Sequence, residues 1–148
     1  CINDVLERLE SVVQRQRAIV VLNLHDESVT LHGDRFYWTQ VLFNLVENAL
    51  KQNPHCDLRV EIASQVSGSD FLISVSDNGI GIPSADLPHI FRRFYRVEKH
   101  HSQLEIKGTG LGLSIVKRAI KAHHGTITVS SVPGQETKFL MTIPKVAE

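Results

Sequence analysis

Three stretches of helical periodicity, each followed by a pair of strand-like runs, leave this chain few ways to cover its apolar surfaces. Residues 2 to 14 carry Ile2, Val5, Leu6, Leu9, Val12 and Val13 at helical spacing, with charges on the other side. AIVVLNL and SVTLH follow, split by the turn-prone His25-Asp26-Glu27, and read as a first pair of strands. A second helix is predicted over 34–53, opened by Asp34 as a cap and closed before Asn53-Pro54. LRVEIAS and FLISVS then form a strand pair around Ser67-Gly68-Ser69-Asp70. The third helix runs from Leu111 to His123 and ends at His124-Gly125, with the glycine just past the last turn. TITVSS and KFLMTIP finish as a hairpin around Pro133-Gly134. A helix buries one stripe and a half-covered sheet one face. This order therefore predicts a two-layer α/β sandwich, with helices on one face of a mixed sheet and the other face partly solvated.

At 148 residues, 42% of them apolar and 22% charged, the chain has the size of one globular domain. A domain of that length buries roughly 68 to 70% of the surface its unfolded chain exposes, so no disulfide or metal staple is required. Cys1 and Cys56 have the spacing of neither a disulfide framework nor a zinc site, and a reducing, cytoplasmic setting is expected. Sixteen basic residues balance sixteen acidic ones, which argues against a nucleic-acid coat or a membrane-surface domain. Arg92, Arg93, Arg96 and Lys99 nevertheless concentrate positive charge in one segment. No apolar run approaches about 18 residues and no signal-peptide pattern opens the chain, so no membrane segment is expected. Beginning inside a helix at Cys1, the chain reads as an excised domain, such as the cytosolic part of a membrane-bound sensor.

The chemistry is concentrated in four segments. On a helical wheel Asn44, Asn48 and Lys51 share a narrow sector with Glu47 beside them, while Leu42, Leu45, Val46, Ala49 and Leu50 lie opposite. Two amides and a lysine supply oxygen for a hydrated cation and positive charge for phosphates. The strand FLISVS delivers Asp77 to its end, where an ionised carboxylate accepts a hydrogen bond from the exocyclic amine of adenine. Gly79 and Gly81 follow at once, with no side chains to hold the backbone away from a flat ring. A second glycine cluster, Lys107-Gly108-Thr109-Gly110-Leu111-Gly112-Leu113-Ser114, runs into a helix, whose first amides cradle phosphate oxygens. It has neither P-loop nor dinucleotide-fingerprint spacing. Between the two clusters, Phe91 and Phe94 at i, i+3 are suited to anchor a long irregular segment, and Arg96 to swing with it as a lid. Taken singly, each segment has a plainer reading, as a wet helix face, a tight turn or a solvated cationic loop.

In this order the four segments closely resemble the catalytic, ATP-binding domain of sensor histidine kinases, within a wider group that includes gyrase, Hsp90 and MutL. NLVENALK is similar to that family's N box, DNGIGIP to its first glycine box, IFRRFYR to its F box and KGTGLGLSIVK to its second glycine box. The resemblance implies a Bergerat α/β sandwich over 1–148, with an ATP lid over about 77–110. It implies ATP and magnesium (Mg2+) as cofactors, with Asn48 the metal ligand, Asn44 its partner one turn earlier, and Lys51 and Arg96 at the phosphates. Asp77 would read adenine, with Gly79, Gly81 and Ile82 by the base. Gly108, Thr109, Gly110, Leu111, Gly112 and Leu113 would hold the phosphates at the lid's end. The implied catalytic set is Asn44, Glu47, Lys51 and Arg96, with Glu47 orienting an incoming imidazole or facing solvent.

The implied partners are a dimerisation domain carrying the phosphoacceptor histidine, and a response regulator downstream. No histidine here fits the acceptor role. His25-Asp26 lacks the basic and proline residues of that motif, and His100-His101 and His123-His124 read as solvated loop and helix-end residues. Two positions depart from the pattern, Gln52 where an aromatic residue is usual and Arg92 where an acid is. Asn44 stands where gyrase-like members carry a hydrolytic glutamate, which favours a kinase over an ATPase. A regulatory nucleotide-binding module without transfer activity, an ATPase of the same fold and a ligand-free interaction domain are the competing readings.

Overall fold

The computed structural model describes residues 2–16, 18–24, 35–52, 58–93, 95 and 112–144. Its elements are α1 (Ile2–Gln16), β1 (Ile19–Asn23), α2 (Arg35–Gln52), β2 (Arg59–Ser67), β3 (Asp70–Asp77), α3 (Gly112–Ala122), β4 (Thr126–Val132) and β5 (Glu136–Pro144). The strands form one mixed sheet in the order β1-β2-β3-β5-β4. β1 runs parallel to β2, and every other neighbouring pair is antiparallel. A parallel neighbour needs a crossover, and α2 supplies it. The partner expected for β1, SVTLH, lies outside the described residues, as do Asp34 and Asn53-Pro54.

Strand alternation separates the two faces. Ile62, Val75 and Phe139 lie abreast across three strands and are all buried, and Val129 on β4 continues their row. One residue along, Glu61, Ser76, Lys138 and Ser130 form a polar row on the opposite face. The helices cover only the apolar side. Val5 and Leu9 of α1, Leu45, Val46, Ala49 and Leu50 of α2, and Val116 and Ile120 of α3 enter one core with the sheet. Each fully buried leucine or valine contributes about 1.5 to 3 kcal/mol relative to exposure. This is the two-layer sandwich that the helix and strand order predicted, of the Bergerat type that the resemblance implied.

α2 packs against both other helices. The Arg8 guanidinium of α1 lies 4.2 Å over the Phe43 ring. At the opposite side the Trp38 and His123 rings are 4.8 Å apart, and His123 Nδ1 lies 2.6 Å from the Ala119 carbonyl oxygen. His123 is therefore half-buried packing, not the solvated helix-end residue expected from sequence.

The end of α3 also departs from expectation. Gly125 N–H donates to the Ile120 carbonyl at 2.9 Å and His124 N–H to that of Lys121 at 3.1 Å, the bond pair of a Schellman cap. In that cap the left-handed residue is His124, at φ 63, and the glycine comes one position later. Gly125 is needed for closeness instead, since a Cβ there would sit 2.7 Å from the Thr142 carbonyl oxygen. His124→Gly is expected to raise unfolding stability by about 0.5 to 1 kcal/mol, by relieving the left-handed penalty. Urea denaturation checks this, and a lower midpoint would mean that the imidazole itself holds something.

Candidate functional site

Asp77 closes β3 and, by alternation after Ile73 and Val75, belongs to the helix-covered face, where it is only 8% exposed. Gly79 N–H donates to its Oδ1 at 2.9 Å. Burial pushes the Asp77 carboxyl up to about 6; the Gly79 hydrogen bond pulls the other way, and the nearby charge of Glu136 adds to the rise. Asn78 holds the strand end in place. It donates its backbone N–H to the Arg59 carbonyl at 3.2 Å and accepts the Arg59 N–H on Oδ1 at 2.7 Å.

The register sets Thr137 directly across from Asp77, and Ser131 directly across from Thr137. Thr137 is buried, and the Ser131 and Thr137 hydroxyl oxygens are 3.3 Å apart. One end of a mainly apolar face thus carries the polar row Asp77, Thr137, Ser131. Sequence reading missed the two hydroxyls. Counting back in twos from Phe139 and folding the hairpin about Pro133-Gly134 would have found both.

The loop after Asp77 is tied to the β4–β5 turn. Ile82 N–H donates to Ser131 Oγ at 2.7 Å, and Gly134 N–H donates to the Ile80 carbonyl at 2.7 Å. Gly79, Gly81 and Ile82 are all buried. Gly81 has φ 75, and a Cβ there would meet the Val132 carbonyl oxygen at 2.7 Å and Pro133 Cα at 2.8 Å. Its lack of a side chain thus serves close approach to the hairpin. That is a different reason from the open base-stacking surface that the sequence argument supplied.

Residues 83–95 are also built onto the core. Successive backbone bonds run from Asp86 to Pro83, His89 to Asp86, Arg92 to His89 and Tyr95 to Arg92, each from N–H to carbonyl. Ile90 is buried, Phe91 meets Phe139 edge-on with centroids 6.0 Å apart, and Lys117 Nζ lies 5.3 Å from the Phe91 centroid. Tyr95 donates its hydroxyl to Asp86. The first half of the interval read as a lid is therefore anchored. Phe94, Arg96, Gly108, Thr109, Gly110 and Leu111 lie outside the described residues, as do the side chains of Lys51 and Gln52.

Asn44, Glu47 and Asn48 are half-buried on α2. Gly112, the first residue of α3, lies against Asn44, and a Cβ on it would be 3.8 Å from the amide Cγ and Oδ1. Leu113 follows, half-buried. Gln40 Nε2 donates to Asn44 Oδ1 at 3.5 Å, whereas the buried Asn44 Nδ2 has no partner among the described residues. An unsatisfied buried donor costs about 1 to 3 kcal/mol. Here it adjoins a helix start, where backbone N–H groups lack intrahelical acceptors. That donor set suits an anion. The half-buried carboxamide of Asn48, one turn on from Asn44, is the kind of oxygen donor that a hard cation takes. Among the described residues no three His, Cys, Asp or Glu side chains cluster as a metal site, and no helix is long and apolar enough to cross a membrane.

Residues 33–147 match the family described as histidine kinase-, DNA gyrase B- and HSP90-like ATPase, and the chain belongs to that family. It is 36% identical over 145 residues to the sensor protein RprX of Bacteroides fragilis, covering 97% of this chain and 28% of that protein. It is 37% identical over 144 residues to the sensor histidine kinase WalK of Bacillus subtilis, covering 95% and 23%. The chain thus spans about a quarter of the length of these relatives. Among solved structures it superposes on the nucleotide-free catalytic domain of histidine kinase ThkA with a TM-score of 0.81 and 28% identity, covering 99% of this chain and 92% of that one. On ThkA in complex with the response regulator protein TrrA the TM-score is 0.77 at 25% identity, covering 98% and 39%.

Proposed function

We propose that this chain is the ATP-binding catalytic domain of a protein-histidine kinase in a two-component system, working in the cytoplasm. In this reading it binds ATP with magnesium and presents the γ-phosphate to a histidine on a separate dimerisation domain, from which a response regulator takes the phosphoryl group. The observation that carries the reading is the meeting of Asn44, whose amide nitrogen has no partner among the described residues, and the first residue of α3. The buried acceptor Asp77 adds the second half of the site.

Each residue then has a physical task. The Asp77 carboxylate accepts from the adenine amine; guanine would offer it a carbonyl oxygen instead. The α3 amides and Asn44 Nδ2 donate to phosphate oxygens, and Lys51 and Arg96 add positive charge. Asn48 supplies an amide oxygen to magnesium, which when bound neutralises phosphate charge. Glu47 orients the incoming imidazole. Asn44 is an amide and cannot act as the base that activates water, so hydrolysis by the chain alone is expected to be negligible.

Calorimetric titration tests the metal assignment. Asn48→Ala is expected to weaken ATP binding at least about tenfold with magnesium, and to change little in chelator, because one lost charge-assisted contact is worth about 1.5 to 3 kcal/mol. Equal isotherms for the two chains with magnesium present would remove Asn48 from the site.

The pH dependence tests the base assignment. Recognition needs ionised Asp77, so affinity for ATP is expected to be level above about pH 6 and to fall up to about tenfold per unit below it. Glu136→Gln removes one of the charges holding the carboxyl up, and should move that midpoint downward while leaving the titration of the phosphates unchanged. A midpoint indifferent to Glu136→Gln would mean that Asp77 is not the titrating group.

A further inference from the structure

We infer that Ser131 is a positioning residue for the purine end of the site: its hydroxyl fixes the Ile80–Ile82 loop against the β4–β5 turn and so sets the base preference. The inference rests on the nucleotide reading above. Ser131 Oγ accepts the Ile82 N–H at 2.7 Å and donates to the Glu136 carbonyl at 2.7 Å. One hydroxyl thus joins the loop to both strands of the hairpin, and it lies 3.3 Å from the Thr137 hydroxyl, which is itself abreast of Asp77.

The geometry gives the loop few alternatives. Gly134 N–H donates to the Ile80 carbonyl at 2.7 Å on the far side of Gly81, and the Gly81 Cα sits so close that a Cβ would be 3.0 Å from Ser131 Oγ. Two hydrogen bonds and one glycine contact therefore pin three consecutive residues. The Gly79 amide that holds Asp77 Oδ1 lies immediately before them. Removing the hydroxyl leaves the Ile82 N–H and the Glu136 carbonyl without this partner. The loop then relaxes at the point where Asp77 is aimed, while Asn44, Asn48 and the start of α3 are untouched. Discrimination between bases should suffer, and binding of the triphosphate should not.

The test uses this chain with Ser131→Ala and Ser131→Thr, reading amide hydrogen exchange at Ile82 and Gly134 together with the affinities for ATP and GTP. Ser131→Ala is expected to exchange faster at both amides and to bind ATP about five- to tenfold more weakly, with GTP affinity unchanged, as for one lost hydrogen bond. Ser131→Thr, which keeps the hydroxyl, is expected to restore the ATP to GTP ratio. Unchanged exchange in Ser131→Ala would overturn the clamp, and an unaltered ratio despite faster exchange would overturn its role in recognition. Equal loss for ATP and GTP would mark a general structural defect and also overturn it. A wild-type chain that binds neither nucleotide, with Ile82 protected by the hydroxyl as expected, would instead sink the nucleotide reading and carry the inference down with it.

Discussion

Asp77→Asn is expected to make the folded domain more stable and to cost it its affinity for adenine nucleotides. A buried carboxyl raised from 3.8 to about 6 favours its neutral form in the folded state. The sign follows from linkage. Stability from this group is fully present below pH 3.8 and is lost as pH rises through about 6, so at neutral pH the wild-type chain carries the whole penalty. Asparagine keeps an oxygen for the Gly79 amide but carries no charge. The variant should therefore be more stable by up to about 3 kcal/mol at pH 7, with the difference growing in between pH 4 and 6. Denaturation at several pH values reads it directly. Binding should move the opposite way. The asparagine oxygen is taken by Gly79, so its NH2 faces the adenine amine, donor against donor, and a loss of about two orders of magnitude for ATP is expected. GTP, which presents an acceptor at that position, should lose far less. Unchanged stability together with unchanged selectivity would remove Asp77 from the site.

Gly81→Ala is expected to lower stability by about 2 to 4 kcal/mol, the largest loss for any single added methyl group among the described positive-φ glycines. The left-handed backbone alone costs an alanine about 1 to 2 kcal/mol. The rest comes from a Cβ forced to within 2.8 Å of backbone atoms of Val132 and Pro133, neither of which is the end of a flexible side chain. Gly134 supplies the control. It too has positive φ, 80, but has open space around its Cβ position, so Gly134→Ala should show the strain without the collision and lose about 1 kcal/mol. Chemical denaturation of the pair separates the two effects. Equal losses would mean that the loop does not press on the hairpin as described.

The parts of this fold legible in sequence were those governed by local periodicity. The stripe of α1, the polar sector of α2 and the alternation of β2 and β3 could be read from neighbours a few residues apart, and each element formed within a few residues of its expected bounds. Pro133-Gly134 was legible too, because a type II turn takes proline and then a residue with positive φ, and Gly134 has φ 80. What escaped depends on partners distant in sequence. Ser131 and Thr137 matter through a register that joins β3, β4 and β5, and the need for glycine at 81 comes from carbonyl and Cα atoms some fifty residues later. His124 escaped for a related reason. Glycine is the default left-handed residue, yet Gly125 was already committed to touching Thr142. Of the residues that the sequence assigned to phosphates and metal, the structure brings Gly112 against Asn44.

The contact between Trp38 and His123 has a practical side. Trp38 is the chain's only tryptophan. It lies on α2, ahead of Asn44, and its ring partner immediately follows α3, the helix that begins at Gly112. The molecule thus carries an intrinsic fluorophore whose emission reports, without any label, on how α2 and α3 sit against each other.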